Sequence, residues 1–202
     1  MPRLLLATGN RHKFNELKSL LRGIPYELVF PADIGINLQV DESGSSFEEN
    51  AGLKAQAFAE SSGLLSLADD SGLEVDALGG EPGIYSARYA GENATDTERV
   101  DYLLSRLKDI PEGSRQARFR CVIAIASPEG ELHLFSGECN GEITLSPRGK
   151  YGFGYDPVFY LPQLGKTMAE LPPEVKNGIS HRGRAVAKAR SFLLKLAGGK
   201  HK

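Results

Sequence analysis

A short apolar run that leads directly into a helical pattern constrains this chain more than any other feature of its sequence. The run from Leu4 to Ala7 predicts a buried strand, and apolar residues then recur at helical spacing from Phe14 to Leu21. Only Thr8 to Lys13 separates the two elements. The chain must therefore pass from strand to helix through a tight turn that contains a hydroxyl, a glycine, an amide and a lysine.

This turn has the composition of an anion site. The start of a helix offers unpaired backbone N–H groups and the positive end of the helix dipole, so a phosphate tail could rest there. Gly9 would let the backbone come close to the anion, and Lys13, one turn into the helix, would reach its terminal oxygens. A simpler interpretation is that Thr8 and Asn10 only cap the helix. Both interpretations stay open at this point.

The rest of the chain alternates between strand and helix patterns. Two capping boxes, Ser46 with Glu49 and Thr95 with Glu98, mark helix starts, and a Pro-Glu-Gly turn predicts a β-hairpin. Strands and helices mixed with an antiparallel hairpin predict an α/β fold around a mixed sheet. We expect strands at 4–7, 26–30, 64–68, 116–126, 132–136 and 142–145, further helices at 47–61, 95–108, 167–171 and 181–196, and loops at 36–46, 79–93 and 149–157.

The composition limits the class of protein. At 202 residues the chain should form a single domain, 1–202, with room for two lobes and with 198–202 as a flexible tail. The net charge of −2 argues against a nucleic-acid partner gripped over a broad basic face. Cys121 and Cys139 lack metal-ligand spacing and are expected to be buried thiols in a reducing cytosol. No stretch resembles a signal peptide or a membrane span, so we expect a cytoplasmic protein without a membrane partner.

Three acidic positions are candidates for catalysis. Asp69 and Asp70 follow the strand predicted at 64–68, and such a carboxylate can hold Mg²⁺ through oxygen or orient a water for attack. Neighbouring residues of a strand point to opposite faces, so only one of the two should enter a given site unless the backbone turns there. Glu42, in the polar loop, is a candidate for a second metal ligand. The alternative is that these acids are solvated in exposed turns.

Three further segments combine basic, aromatic and glycine residues. Lys54 shares a helix face with Asn50, and its spacing alone favours a lysine that extends along the helix surface. The segment 152–157 suits either a nucleobase stacked on an aromatic ring or a structural turn packed by aromatics. Ser180-His181-Arg182 opens the last helix with positive charges that oppose its dipole. These charges indicate a role beyond helix stability, and a basic surface turn is the alternative.

Several of these segments together match one known pattern. The matches are Thr-Gly-Asn-x-x-Lys, Phe-x-Glu-Asn-Ala, Ala-Asp-Asp-Ser-Gly-Leu, Pro-Gly-Ile-Tyr-Ser-Ala-Arg-Tyr, Gly-Phe-Gly-Tyr-Asp-Pro, Lys-Thr-x-Ala-Glu-Leu and Ser-His-Arg. In this order and spacing they resemble the inosine triphosphate pyrophosphatase family, most closely its bacterial dITP/XTP pyrophosphatase branch. The resemblance covers nearly the whole chain, and so many independent matches make coincidence remote.

The resemblance implies an activity and an architecture. The activity is hydrolysis of non-standard purine nucleoside triphosphates (ITP, dITP and XTP) to the monophosphate and pyrophosphate, which removes them from the nucleotide pool. The resemblance also implies dependence on Mg²⁺ and a homodimer. The implied fold is an elongated mixed β-sheet flanked by helices, with two lobes and the active site in the cleft between them.

Carried over residue by residue, the resemblance assigns roles to many positions. Asp70 would be the catalytic base and a metal ligand, with Glu42 and Asp69 as further ligands, and which acid of Asp41 and Glu42 reaches the metal stays open. The expected substrate contacts are Thr8, Gly9, Asn10, Arg11, His12 and Lys13 around the triphosphate, Lys54, Ser71 and Lys176 on the nucleotide or its phosphates, Phe153, Gly154, Tyr155 and Asp156 in the base pocket, and His181 and Arg182, which would read the base.

Three other functions compete with this one. A Maf-like nucleotide pyrophosphatase shares the general fold, but the intact Thr8-Gly9-Asn10 and Ser180-His181-Arg182 segments speak against it. A nucleotide-sensing protein would bind the same ligands without turnover. A P-loop NTPase is excluded because Gly165-Lys166-Thr167 has Tyr160 where the leading glycine of the P-loop should be.

Overall fold

Seven strands and five α-helices make up the regular structure of residues 1–199, the part of the chain that the computed structural model describes. Among these helices, none is long and apolar enough to cross a membrane. The strands are β1 (Arg3–Leu6), β2 (Glu27–Val29), β3 (Leu65–Val75), β4 (Gln116–Ala126), β5 (Leu132–Ile143), β6 (Phe159–Leu161) and β7 (Lys166–Thr167). The helices are α1 (Arg11–Leu20), α2 (Phe47–Ser62), α3 (Asp96–Arg106), α4 (Pro173–Ile179) and α5 (His181–Gly199).

The strands form one mixed sheet in the order β2-β1-β3-β4-β5-β6-β7. β1 runs parallel to both β2 and β3, with Leu4 opposite Leu28 and Leu65, whereas β6 pairs antiparallel with β5 and β7. Parallel neighbours need a crossover connection, and α1 lies between β1 and β2 along the chain while α2 precedes β3. A mixed sheet flanked by helices confirms the predicted fold class.

Capping residues set two helix starts, as the sequence indicates. α3 has the complete capping box, because Thr95 Oγ1 accepts from the N–H of Glu98 and the Glu98 carboxylate accepts from the N–H of Thr95. At α2 the predicted box is only half formed. The Ser46 hydroxyl accepts from the N–H of Glu49, but the Glu49 carboxylate accepts from the N–H and hydroxyl of Ser45 instead. Glu49 thereby ties the preceding loop to the helix.

Several predicted boundaries are wrong. β3 does not end at Ala68 but continues to Val75. Its register with β1 covers only Leu65 to Leu67, so the neighbouring strand β4 supports the rest of β3, and this pairing outweighs the weak β-propensity of Asp, Ser and Gly. The two strands expected at 132–136 and 142–145 are the single strand β5. The helix expected at 167–171 is only the short 3-10 turn Met168–Glu170, and Pro172 and Pro173 instead start α4, because proline fits the first helical turn.

The last helix reaches further than expected. α5 runs to Gly199 and so contains Gly198 and Gly199, the first two residues of the predicted tail. Lys200 to Lys202 lie outside the described residues.

The chain divides into two compact units. Unit 1 comprises Met1–Asp70, Cys121–Gly137 and the chain from Arg182 onward, and unit 2 comprises Ser71–Arg120 and Glu138–His181. Each unit has its own apolar core. The core of unit 1 includes Leu4, Leu6, Phe14, Leu17, Leu67, Ile123 and Leu193, and that of unit 2 includes Leu73, Val100, Leu103, Phe119, Val158, Phe159 and Met168.

Candidate active site

β3 brings two adjacent carboxylates into the interior of unit 1. Asp69 and Asp70 lie in the middle of this 11-residue strand and are 1% and 6% exposed. The alternative that they are solvated in an exposed turn is therefore wrong. Because buried carboxylates are costly unless their environment compensates them, the surroundings of these two residues decide what they can do.

Asp69 is held by cations. Lys13 Nζ of α1 lies 3.1 Å from Asp69 Oδ2, and Nη2 of Arg182 in α5 donates to the same oxygen at 3.3 Å. Burial alone would raise the pKa of Asp69, but Lys13, Arg182 and Lys54 together hold this pKa well below its usual range. Asp69 is therefore ionised and engaged in charge balance, which makes it a poorer metal ligand than its neighbour.

Asp70 has the opposite character. Burial raises its pKa to about 6, and the charges of Glu42 and Asp69 add to this rise while Lys13 and Lys54 oppose it. A carboxylate of this kind is mostly ionised at neutral pH, yet it is basic enough to take a proton from a water molecule. When two neighbouring acids lie in such different environments, one commonly takes part in catalysis and the other supports it.

Glu42 joins these acids through Lys54. The ammonium of Lys54 in α2 donates to the backbone oxygen of Asp69 at 3.1 Å and pairs with the carboxylate of Glu42. Burial would lower the pKa of Lys54, but the charges of Asp69, Glu42 and Asp70 raise it, so this lysine is a cation. Lys54 therefore does not extend along the helix surface. Of the two acids that the sequence leaves open, Glu42 makes this contact, whereas Asp41 is exposed.

Arg182 completes the group, in a place that the resemblance did not imply. Its guanidinium is 2% exposed and donates to Glu16 at 2.7 Å as well as to Asp69. Two carboxylates hold the Arg182 guanidinium in place. These contacts differ from the expected role of Arg182, which was to form hydrogen bonds with the nucleobase. We call Lys13, Glu42, Lys54, Asp69, Asp70 and Arg182 the charged cluster.

Glu16 was missed by the sequence analysis, although a signal for it exists. Glu16 follows Lys13 by three residues on α1, and residues three apart share a helix face. An acid on the face of a predicted phosphate-binding lysine is a candidate partner for another cation of the same site. What the sequence could not supply is the identity of that cation, because Arg182 is far away along the chain.

The turn from Thr8 to Lys13 is a capped helix start in this structure. Asn10 Oδ1 accepts from the N–H groups of His12 (2.9 Å) and Lys13 (3.1 Å), and Thr8 Oγ1 accepts from the N–H of Asn10 (3.1 Å). The expected capping is therefore present, and two N–H groups that could face an anion donate to Asn10 here. A Cβ added at Gly9 would meet no other described atom within 4 Å. Packing among the described residues thus does not explain the glycine, which leaves room for a ligand.

In unit 2, the predicted base-pocket segment combines an aromatic ring with a buried ion pair. We call residues 152–156 the aromatic loop. Lys176 Nζ of α4 donates to Asp156 Oδ2 at 2.6 Å, and both residues are 3% exposed. The same ammonium lies 4.9 Å from the centre of the Phe153 ring, and the N–H of Phe153 donates to Asp156 Oδ2 at 2.9 Å. The ring is thereby held with a cation on one face, an arrangement typical of cation–π contacts.

The remaining predicted residues lie in different surroundings. The His181 ring is buried and stacks on Phe119, with 4.6 Å between ring centres. Ser71 follows Asp70 in β3 and is half-buried, whereas Arg11 and His12 are exposed at the start of α1. The structure therefore gathers the predicted residues into two groups, the charged cluster with the turn in unit 1, and the aromatic loop with Lys176 and His181 in unit 2.

The charged cluster offers a pair of carboxylates to a metal ion. Among the residues described, no group of three or more His, Cys, Asp and Glu side chains is arranged to hold one. Asp70 and Glu42 are close enough for their charges to interact. Mg²⁺ is usually held by one or two carboxylates together with water and substrate phosphates rather than by a complete protein cage. A pair of carboxylates beside a candidate phosphate site therefore fits Mg²⁺.

Known proteins match this chain over almost its whole length. The sequence profile of the Ham1 family matches residues 4–192. The dITP/XTP pyrophosphatase of Geobacter sulfurreducens is 52% identical over 96% of this chain and 97% of that protein, and that of Bacillus subtilis is 45% identical over 96% and 98%. A HAM1 protein from Coxiella burnetii has a similar structure, with a TM-score of 0.88 at 42% identity over 96% of this chain and 100% of that one. The Staphylococcus aureus Ham1 protein has a TM-score of 0.84 at 44% identity, over 95% of this chain and 97% of that one.

Proposed function

The chain belongs to the Ham1 family, and we propose that it hydrolyses the non-standard purine nucleoside triphosphates dITP, ITP and XTP to the monophosphate and pyrophosphate. One observation carries the proposal: two adjacent buried carboxylates on β3 differ, Asp69 being neutralised by cations while Asp70 keeps a pKa of about 6. The dITP/XTP pyrophosphatases of Geobacter sulfurreducens and Shigella flexneri, about half identical to this chain, support the substrate class.

Asp70 is the base in this proposal. Asp70 accepts a proton from a water molecule. The oxygen of this water forms the new bond to phosphorus, and the bond between phosphorus and the oxygen of the leaving group breaks. Positioning and charge neutralisation supply most of the catalysis in phosphoryl transfer. Lys13 and Lys54 already lie beside the carboxylates of the charged cluster, and both can turn ammonium hydrogens towards a triphosphate. Asp69 then serves to orient these cations rather than to react.

We propose Mg²⁺ as the cofactor, held by Asp70 and Glu42. When bound, Mg²⁺ would offset negative charge on the triphosphate oxygens. Asp69, which the resemblance gives as a further ligand, is left out of this set because Lys13 and Arg182 engage its carboxylate. Lys54 contacts Glu42, so a metal at Glu42 would have to share that carboxylate with the lysine.

Base selectivity follows from the group at position 6 of the purine. Inosine and xanthosine carry a keto oxygen there, where adenosine carries an amino group, so a hydrogen-bond donor accepts the first two and rejects the third. The N–H groups of Phe153 and Gly154 already donate to Asp156 and Asp96, so we assign the donor role to the His181 imidazole. The Phe153 ring would stack on the base. GTP must be refused at position 2, where its amino group would meet a wall or another donor.

A homodimer is part of the proposal because the resemblance implies it, and a cytoplasmic location because no stretch of the sequence resembles a signal peptide or a membrane span. Light scattering of the purified protein tests the dimer, and cell fractionation tests the location. Neither property enters the chemistry proposed for the charged cluster.

A nucleotide panel tests the function. The purified chain is supplied with Mg²⁺ and with dITP, ITP, XTP, GTP, ATP, dTTP or UTP, and phosphate and pyrophosphate are measured separately. We expect pyrophosphate from dITP, ITP and XTP, at similar rates for dITP and ITP, and little product from the others. Preferred hydrolysis of the pyrimidine nucleotides would favour a Maf-like enzyme, and tight binding of dITP without any product would favour a nucleotide sensor. Either result would overturn the proposal.

A further inference from the structure

One matched segment, Pro-Gly-Ile-Tyr-Ser-Ala-Arg-Tyr, has no part in the chemistry proposed so far, although it contacts the aromatic loop within unit 2. Its Ser86 is 6% exposed and joins three parts of the unit. The Ser86 hydroxyl accepts from the N–H of Leu73 in β3 at 2.9 Å and donates to the backbone oxygen of Gly83 at 2.6 Å. The Tyr155 hydroxyl donates to the backbone oxygen of Ser86 at 2.8 Å. Ser86 therefore links the aromatic loop to β3.

A second anchor of the aromatic loop comes from α3. The N–H of Gly154 donates to Asp96 Oδ2 at 2.7 Å, while Asp96 Oδ1 pairs with Arg99. Arg99 in turn donates to the backbone oxygens of Ala87 (2.8 Å) and Ala94 (2.6 Å). The carboxylate of Asp96 thus joins the aromatic loop to a guanidinium that also holds the segment containing Ser86.

The aromatic loop needs such anchors because of its glycines. Gly154 has φ 62°, in the left-handed region that glycine enters without strain, and it lies between Phe153 and Tyr155. A glycine leaves the backbone free to rotate on both sides. Fixing the N–H of Gly154 therefore fixes the peptide plane between Phe153 and Gly154, and with it the backbone from which the Phe153 ring extends.

We propose that Asp96 is a positioning residue of the aromatic loop and thereby sets how tightly the purine base is bound. This inference rests on the proposed function and deepens it. The Asp96 carboxylate is not needed to cap α3, because Thr95 and Glu98 already form the capping box of this helix. A charged acceptor is the stronger partner for a backbone N–H group. Small displacements of groups that position a substrate are enough to change binding and rate.

Three variants separate positioning from general stability. Asp96→Ala removes the acceptor, Asp96→Asn keeps an acceptor oxygen without the charge, and Thr95→Ala weakens the same helix start without a contact to the loop. For each, KM and kcat are measured with ITP and with ATP. Hydrogen exchange of the Gly154 amide is measured by NMR in the nucleotide-free protein.

We expect Asp96→Ala to raise KM for ITP about ten-fold, the scale of one hydrogen bond to a charged group, with a smaller change in kcat. KM for ATP should rise by a similar factor, so that the preference for ITP over ATP stays, and the Gly154 amide should exchange about ten times faster. Asp96→Asn should have a KM close to that of the wild-type protein, because its amide oxygen still accepts a hydrogen bond. Thr95→Ala should lower the unfolding midpoint and leave KM and the preference unchanged.

Other results would overturn the inference. A wild-type KM in Asp96→Ala would do so, as would an equal change in Thr95→Ala. If Asp96→Ala does not fold, Asp96→Ser replaces it, since the serine hydroxyl is too short to take the place of the carboxylate. If the wild-type protein fails to hydrolyse ITP, the proposed function has failed instead. The exchange rate of the Gly154 amide in the variants then still decides whether Asp96 anchors the loop.

Discussion

The charged cluster of unit 1 and the aromatic loop of unit 2 both contain buried polar groups, but different interactions stabilise these groups in the two regions. The charged cluster draws its side chains from α1, α2, β3, α5 and the loop before α2, and opposite charges neutralise one another there. The aromatic loop consists of consecutive residues, held by Asp96, Ser86 and the Lys176–Asp156 pair. The charged cluster therefore depends on contacts between elements that are distant in the sequence. The aromatic loop depends on the hydrogen bonds and the ion pair that hold one short segment.

This difference predicts how each region responds to change. A buried charge that loses its partner costs several kcal/mol, because it can neither be solvated nor leave. A loop held by hydrogen bonds loses one anchor at a time, at about 1 kcal/mol for a typical bond. Substitutions in the charged cluster should therefore affect folding or turnover strongly. Substitutions in the aromatic loop should affect mainly the affinity for the base.

The largest effect on folding is expected from Asp69→Asn. This change leaves Arg182 and Lys13 without their shared counter-charge, which should cost about 3–5 kcal/mol of unfolding free energy. Urea unfolding measures it. Asp70→Asn is the matched control and should not lower stability, because burial already disfavours the charge on Asp70. Equal losses in both variants would show that the two acids do not differ as described.

The largest effect on chemistry is expected from Asp70→Asn. We expect turnover to fall at least ~10²-fold, the usual scale for a positioned acid–base group. The amide is almost the same size as the carboxylate but neither takes the proton nor holds Mg²⁺ well. Pyrophosphate release from ITP measures the change, and nucleotide binding should partly survive. Near-normal turnover would exclude Asp70 as the base and make Asp69 the candidate.

Lys13→Ala distinguishes the phosphate tail from the rest of the nucleotide. The affinity for a triphosphate should fall about ten-fold, as expected for one charge-assisted hydrogen bond. The affinity for the monophosphate should change much less, because it lacks the oxygens that Lys13 reaches. Calorimetry with ITP and IMP measures both. Lys18→Ala, an exposed lysine on the same helix, is the control, and equal weakening of both ligands would place Lys13 elsewhere.

Phe153→Leu tests the aromatic loop directly. Stacking on an aromatic face contributes about 1–3 kcal/mol and does not distinguish bases, so KM should rise by a similar factor for ITP and ATP. The preference for ITP should stay, which separates stacking from hydrogen-bond selectivity. Tyr151→Leu, at a more exposed ring just before the loop, is the control. A loss of preference in Phe153→Leu would mean that this ring also orients the base.

The smallest effect is expected from Gly9→Ala. Because an added Cβ would meet no described atom within 4 Å, the unfolding midpoint should not fall. If a phosphate tail passes close to this backbone, triphosphate affinity should still drop a few-fold through steric contact. Gly178→Ala, at another open glycine with an ordinary φ, controls for the substitution itself. Unchanged affinity in Gly9→Ala would contradict close approach of the phosphates to the turn.

The sequence by itself determined the local structure and the family. Alternation of apolar residues gave β4 its bounds from Gln116 to Ala126, and Thr95 with Glu98 marked the start of α3. These features depend on residues a few positions apart, so a single sequence contains them. The short motifs likewise identified the family and nearly all candidate site residues, because each motif is contiguous.

Only the tertiary structure gives the physical reason why two adjacent acids differ in pKa, and only it decided which groups Arg182 contacts. Asp69 and Asp70 are identical in type and neighbours in the chain, and their pKa values diverge because Lys13 and Arg182 approach Asp69 from α1 and α5. The length of β3 could not be predicted from the sequence either, because pairing with β4 overrides the propensities of its residues. Charge interaction and strand pairing depend on distance in space. The sequence specifies that distance only through the complete fold.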